Sequence, residues 1–235
     1  MRSNKEQLES RGYIAKDVEK ILEGISFDEL ISSLRDHQAI TRSISARMLS
    51  GKGYEDSIEP LCMALENESK LYTKIEISNA LASYGKKAVP SLIRRLGKIG
   101  KNQHDSIPGK SFDKASYPLP RDIVARTLIR IGPEALPGLA DVLRSDDITA
   151  MNEAIDAIGF ICFYHQEPSV FPVLLECYHK NRNMPLTRWK MIRAMGSFPD
   201  SLAFLNNQYD TEEHPGIKQE IIRSIRMIRK RCNGI

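Results

Sequence analysis

Along most of this chain apolar residues return every three or four positions, the spacing that lines one face of a helix. The clearest run, NALASYGKKAVPSLIRRL over residues 79–96, recurs as RTLIRIGPEALPGLADVL over residues 126–143. In each copy an apolar stripe runs to a glycine, Gly85 or Gly132. A polar link, a proline and two leucines one turn apart follow: Leu92 with Leu96, and Leu139 with Leu143. A single helix cannot bury such a stripe, so the recurrence predicts helical hairpins stacked side by side. Val, Ile and Thr form no alternating runs, and the expected fold class is all-α.

The pattern can be followed from end to end. Residues 3–23 read as one or two short helices broken near Gly12, with Leu8, Ile14, Val18, Ile21 and Leu22 as a thin stripe, and residues 1–25 as an N-terminal cap. Ser26 followed by Glu29 is a capping box opening a helix that carries Phe27, Leu30, Ile31 and Leu34. Its partner spans about 40–49 and ends near Gly53. A second hairpin pairs Ile58, Leu61 and Leu65 with Ile75, Ile77, Leu81 and Tyr84; a third begins at Ala88. The stripe then stops. Residues 97–120, GKIGKNQHDSIPGKSFDKASYPLP, form a Gly-, Ser-, Pro- and Lys-rich insertion inside the third hairpin, whose second helix resumes at Arg121. The fourth hairpin pairs 136–143 with 150–162, and the fifth 170–178 with 186–195. Residues 201–235 read as a degenerate last repeat and C-terminal cap, closing on a helix with Ile217, Ile221, Ile225 and Ile228 on one face.

The chain of 235 residues holds five to six hairpins of roughly forty residues each, in one domain over 1–235. No apolar run is long enough to span a bilayer, and MRSNKEQLES lacks the apolar core of a secretory signal. The four cysteines show no disulfide framework. These features predict a cytoplasmic protein without a membrane partner. A net charge of +4 permits an acidic partner without demanding one.

Aligned on Gly53, Gly85, Gly132, Gly159 and Gly196, the second helices carry Leu49, Leu81, Leu128, Ile155 and Ile192 four positions earlier. Small residues stand seven positions earlier, at Ala46, Ser78 and Ala125. Pro60, Pro90, Pro137 and Pro172 recur in the first helices, and an acid precedes a base by six across two turns, Asp36 to Arg42 and Glu68 to Lys74. Together these resemble the HEAT-repeat superfamily, in particular its short bacterial and archaeal lyase-like repeats, over nearly all of residues 27–196. The resemblance implies a right-handed α-solenoid whose second helices line a concave side, used chiefly for protein binding. The acid–base ladder is not visible in the fourth and fifth hairpins, and Trp189 stands where earlier copies carry Ala or Ser.

On that arrangement one row faces out of the core: Arg47, Asn79, Arg126, Glu153 and Lys190, with Arg130, Asp156 and Arg193 a turn further on. It reads as a partner-binding groove or as a solvated face, and its mixed sign disfavours phosphate recognition alone. Trp189 among Arg188, Lys190 and Arg193 reads as a hot spot, a base-stacking ring or packing against the degenerate repeat. Lys218, Arg223, Arg226, Arg229, Lys230 and Arg231 form a basic C-terminal face: a polar outer side, or a site for an acidic partner, nucleic acid included. The insertion reads as an ornamental loop or as a recognition loop with Phe112 and Tyr117 as its aromatic contacts. Its Gly109-Lys110-Ser111 lacks the upstream glycine of a P-loop, where His104 stands instead. Cys162 with His165 is a weak metal pair beside the reading of cysteine as core, and no cofactor is expected. The leading expectation is a non-catalytic scaffold binding an unidentified protein along the groove and insertion. A nucleic-acid-binding module using a basic groove and the C-terminal helix is the alternative. By analogy with the family's bilin-handling members alone, chromophore chemistry is a third.

Overall fold

Local chemistry sets where many of the helices begin. The computed structural model describes residues 4–15, 24–51, 55–109, 114 and 116–232. Every regular element among them is helical, and none is long and apolar enough to cross a membrane. Asn4 caps α1 (Lys5–Glu9) and Ser26 caps α2 (Phe27–Ser33), each in a reciprocal box with a side chain three residues on. Pro60 sits in the first turn of α4 (Ile58–Asn67), and Pro90, Pro137 and Pro172 are second residues of α6 (Val89–Ile93), α8 (Leu136–Val142) and α10 (Phe171–Lys180). A missing N–H is no loss there. The carboxylates of Asp122 and Asp147 accept the orphan N–H groups of Ala125 and Ala150, opening α7 (Ile123–Ile131) and α9 (Ile148–His165).

The chain divides into two compact units, 1–94 and 95–235. In the first, α2 pairs with α3 (Ala39–Leu49) and α4 with α5 (Leu71–Ser83), while α3 packs on α5 and α6 on α4. Ala46, Leu49, Leu61, Leu65, Ala80 and Leu81 are fully buried between them, and Ser78 stands in the same seam. Gly12, at φ +84°, lies so close to Thr73 that a Cβ would fall 2.1 Å from its hydroxyl. Only a glycine fits that approach and that φ. Val18, Ile21, Leu22 and Gly53 lie outside the described residues.

In the second unit α8 packs on α9, α10 on α11 (Pro185–Met195) and α12 (Leu202–Thr211) on α13 (Pro215–Cys232). The second helices form a row of their own, α7 on α9, α9 on α11 and α11 on α13. Leu128, Ile155 and Ile192, the apolar positions aligned by the glycines, are all fully buried. One alignment point behaves differently: Gly159 does not end its helix but lies inside α9, which continues to His165. Both units also repeat a side-chain clamp. Arg42, Arg126 and Arg188 each stand fourth in their helix and donate to the carbonyl six residues back, that of Asp36 (2.8 Å), Pro120 (2.6 Å) and Arg182 (3.0 Å).

Candidate functional site

The row of charged positions on α9 and α11 is not solvated. Glu153, Asp156, Trp189, Lys190 and Arg193 are all buried, and Lys190 has no exposed surface at all. This overturns the expectation of a row facing solvent, and the reason is the insertion. Residues 97–120 do not project as a loop; their described parts lie as a strap across the row of second helices. Going out, Gln103 bonds Asp122 at the start of α7 (2.9 Å), His104 stands edge-on to Trp189 of α11 (5.3 Å), and Ile107 packs on Gly216 of α13. Coming back, the carbonyl of Ser116 accepts from Arg223 of α13 (3.1 Å) and that of Pro120 from Arg126 of α7.

Tyr117 is the strap's anchor. It is buried, with its ring against Phe160 and Phe163 of α9. A Cβ on Gly159 would sit 1.9 Å from its hydroxyl, so the mid-helix glycine is the notch that admits the ring. Tyr117 is therefore a core residue and not an exposed recognition aromatic. Phe112, Lys110 and Ser111 lie outside the described residues.

Under the strap, three carboxylates face three cations, so the cluster is neutral when all six are ionised. The Lys190 ammonium donates to Glu153 (2.7 Å) and the Asn152 carbonyl (3.2 Å) and lies 3.0 Å from Asp156. Arg193 stands 3.5 Å from Asp156, its guanidinium 3.9 Å from the Trp189 ring centre. Arg223 pairs with Glu220 at 2.7 Å, both buried, so neither belongs to the exposed basic face of the last helix. Several buried polar atoms at this seam have no protein partner: Tyr117 Oη, His104 Nδ1, Glu153 Oε2, Asn152 Oδ1 and Arg193 Nε.

Burial dominates the protonation chemistry. It pushes the Glu153 carboxyl up to about 7, with Asp156 and Asp122 adding to the push and Lys190 opposing it. Burial works the same way on Asp156, but Lys190 and Arg193 outweigh it and hold that carboxyl below its usual range. Burial raises Glu220 against the pull of Arg193 and Arg223. It also takes His104 down to about 4, helped by the Arg193 cation, so the ring is neutral near pH 7. The charges of the cluster balance only above the Glu153 value, and Lys190 itself has no surface open to solvent.

The remaining row positions are not drawn into the cluster. Arg47, on α3, chelates Glu76 through two bonds (2.7 and 3.0 Å) and donates to the Ala15 carbonyl (2.8 Å). Asn79 and Arg130 are exposed, and Arg126 is half-buried by its clamp. The acid–base ladder also takes a different course from the one read in sequence. Arg42 contacts Asp36 only through the backbone carbonyl and pairs bidentately with Glu68 of the next turn (2.8 and 2.9 Å). Glu68 in turn accepts the N–H of Lys70. Arg188 and Glu212 (3.0 Å) repeat this rung, with Glu212 accepting the N–H of His214. That rung is unreadable in sequence because its partners lie 24 positions apart. Cys162 and Cys177 are buried thiols, raised by burial to about 12 and about 11, and no metal-ligating cluster occurs among the described residues.

No family model and no curated protein matches the chain. A solved structure titled as an engineered protein aligns over 92% of this chain and 100% of its own length, at 17% identity and a TM-score of 0.39.

Proposed function

We propose that this chain is a HEAT-like α-solenoid that works as a non-catalytic protein-interaction scaffold. The repeat reading is supported by the arginine clamp recurring at the same helical position in both units, and by the matching rungs Arg42–Glu68 and Arg188–Glu212. The non-catalytic reading rests on one observation: Lys190, the most reactive-looking base of the charged row, is fully buried between two carboxylates under the strap. The buried charges thus stiffen the second unit, and the open positions are left to meet a partner: Asn79 and the edge of Arg47 on the first unit, Arg130 and the edge of Arg126 on the second. Small-angle scattering tests the solenoid: a curved array gives a radius of gyration well above the ~17–18 Å of a compact domain of this length. Affinity capture from nuclease-treated lysate, with Asn79→Glu/Arg130→Glu as the control, tests the scaffold. A protein retained by the parent and lost by the variant supports it.

The alternative, nucleic-acid binding, is favoured by the cations Arg229, Lys230 and Arg231 in the last turn of α13. It predicts a mobility shift with a duplex that weakens steeply with salt. Such a shift, with no protein captured, would replace the scaffold reading.

A further inference from the structure

The outward side of α13 carries apolar surface that no other described residue covers. Ile217, Ile221 and Ile228 already fill the interior, yet Ile222 remains 49% exposed, with Ile225 partly exposed one turn on. With Tyr209 of α12, itself 38% exposed, they line a groove of about 530 Å³. Its rim is Arg226, Arg229 and Lys230, and no carboxylate among the described residues lines it. Along α13 the positions 222, 225, 226 and 229 follow the i, i+3, i+4, i+7 strip that a packing helix reads.

We propose that this groove docks an acidic amphipathic helix of a partner protein, apolar side chains on Ile222 and Ile225 and carboxylates on the basic rim. Charge complementarity selects the occupant. Apart from the buried Arg223–Glu220 pair, α13 carries five cations and no carboxylate. A second copy of this chain would bring cations against cations. A nucleic acid would meet the rim but leave the two isoleucines against its phosphates, and the Tyr209 ring is occupied by the Lys218 ammonium at 4.7 Å. A lipid surface takes protruding apolar residues, whereas these line a concavity. Packing supplies the rest: α9 lies between α7 and α11, and α11 between α9 and α13, so a docked helix extends an arrangement this unit already uses.

The test is fluorescence anisotropy of the full chain with a labelled 18-residue synthetic helix, leucine at i, i+3, i+4 and i+7 and glutamate elsewhere. Saturable binding is expected, weakened at least roughly tenfold by Ile222→Glu and by Arg229→Glu/Lys230→Glu, and unchanged by Lys86→Glu in the other unit. These side chains are exposed, so circular dichroism and melting temperature should match the parent. No binding, binding indifferent to the groove variants, or equal binding of a leucine–lysine helix overturns the proposal. So does a groove-dependent affinity for a 20-nucleotide single strand or for phosphatidylserine vesicles that the acidic helix lacks. The scaffold reading above is tested at Asn79 and Arg130 and stands or falls separately.

Discussion

The Lys190 ammonium lies among the Glu153 carboxylate, the Asp156 carboxylate and the Asn152 carbonyl, all within 3.2 Å and all buried. Such a group is worth less as a stabiliser than as something that cannot be removed alone, since its loss leaves carboxylates uncompensated in a buried site. Lys190→Met should therefore cost about 3–5 kcal/mol in denaturant unfolding. Restoring neutrality with Glu153→Gln on top should recover part of the loss. Two groups here give opposite pH dependences. Folded Glu153 keeps its proton up to about 7 while the unfolded chain sheds it near 4.5, so this residue makes stability fall as pH rises through that window. Folded His104 stays neutral down to about 4 while the unfolded ring protonates near 6.5, so this residue makes stability fall as pH drops. Between pH 4.5 and 6.5 the slopes oppose each other. Unfolding at stepped pH should give a more positive slope for Glu153→Gln and a more negative one for His104→Phe, each by at most ~1.4 kcal/mol per pH unit. Equal slopes in all three proteins would mean that neither group is shifted. The residues of this cluster on α9 and α11 were legible as one row from helical spacing. Their burial was not, because what covers them comes from a segment with no periodicity, whose one marker was a glycine, Gly159, inside an apolar run.

At the scale of elements, the pairings α2–α3, α4–α5, α8–α9 and α10–α11 follow from spacing, because each helix must hide its own stripe against a neighbour; α6 and α7, read as the two halves of the third hairpin, fall in different compact units and are not such a pair. What spacing conceals is how successive turns are tied. Arg42 reaches Glu68 with side-chain exposures of 15% and 2%, whereas Lys180 and Asp146 meet at 3.3 Å in the open, at 58% and 98%. Screening and side-chain entropy leave the exposed pair little net energy. Double-mutant cycles on thermal or denaturant unfolding should give Arg42–Glu68 a coupling of about 1–2 kcal/mol and Lys180–Asp146 less than ~0.5 kcal/mol. Comparable couplings would mean that the rungs are surface decoration. The strap–helix contact has its own test in the Gly159 notch. Gly159→Ala should destabilise by about 1–3 kcal/mol by forcing Tyr117 out, whereas Tyr117→Phe, which deletes a buried hydroxyl lacking a partner, should be neutral or stabilising.

For the molecule as a whole, the strap belongs to the second unit alone in its sequence position and in the contacts described above: α7, α9, α11 and α13. The first unit holds itself together differently, with small and aliphatic residues along the seam of α3 and α5 and with paired arginines at its margins. Replacing residues 100–119 by a short Gly-Ser link would expose Glu153, Asp156, Lys190 and Arg193 together and remove the Tyr117 ring from its notch. The charges themselves would survive that change, since water satisfies them. The loss is apolar cover and fixed geometry, which local opening reads directly. Amide hydrogen exchange should therefore show α9, α11 and α13 losing protection by roughly tenfold or more, while α3 and α5 keep theirs. Uniform loss across all five helices would show that the two units open as one cooperative body. Loss confined to the strap's own neighbours in α7 would show that the buried charges hold their geometry without a cover, and that the strap is the ornament a sequence reader could have taken it for.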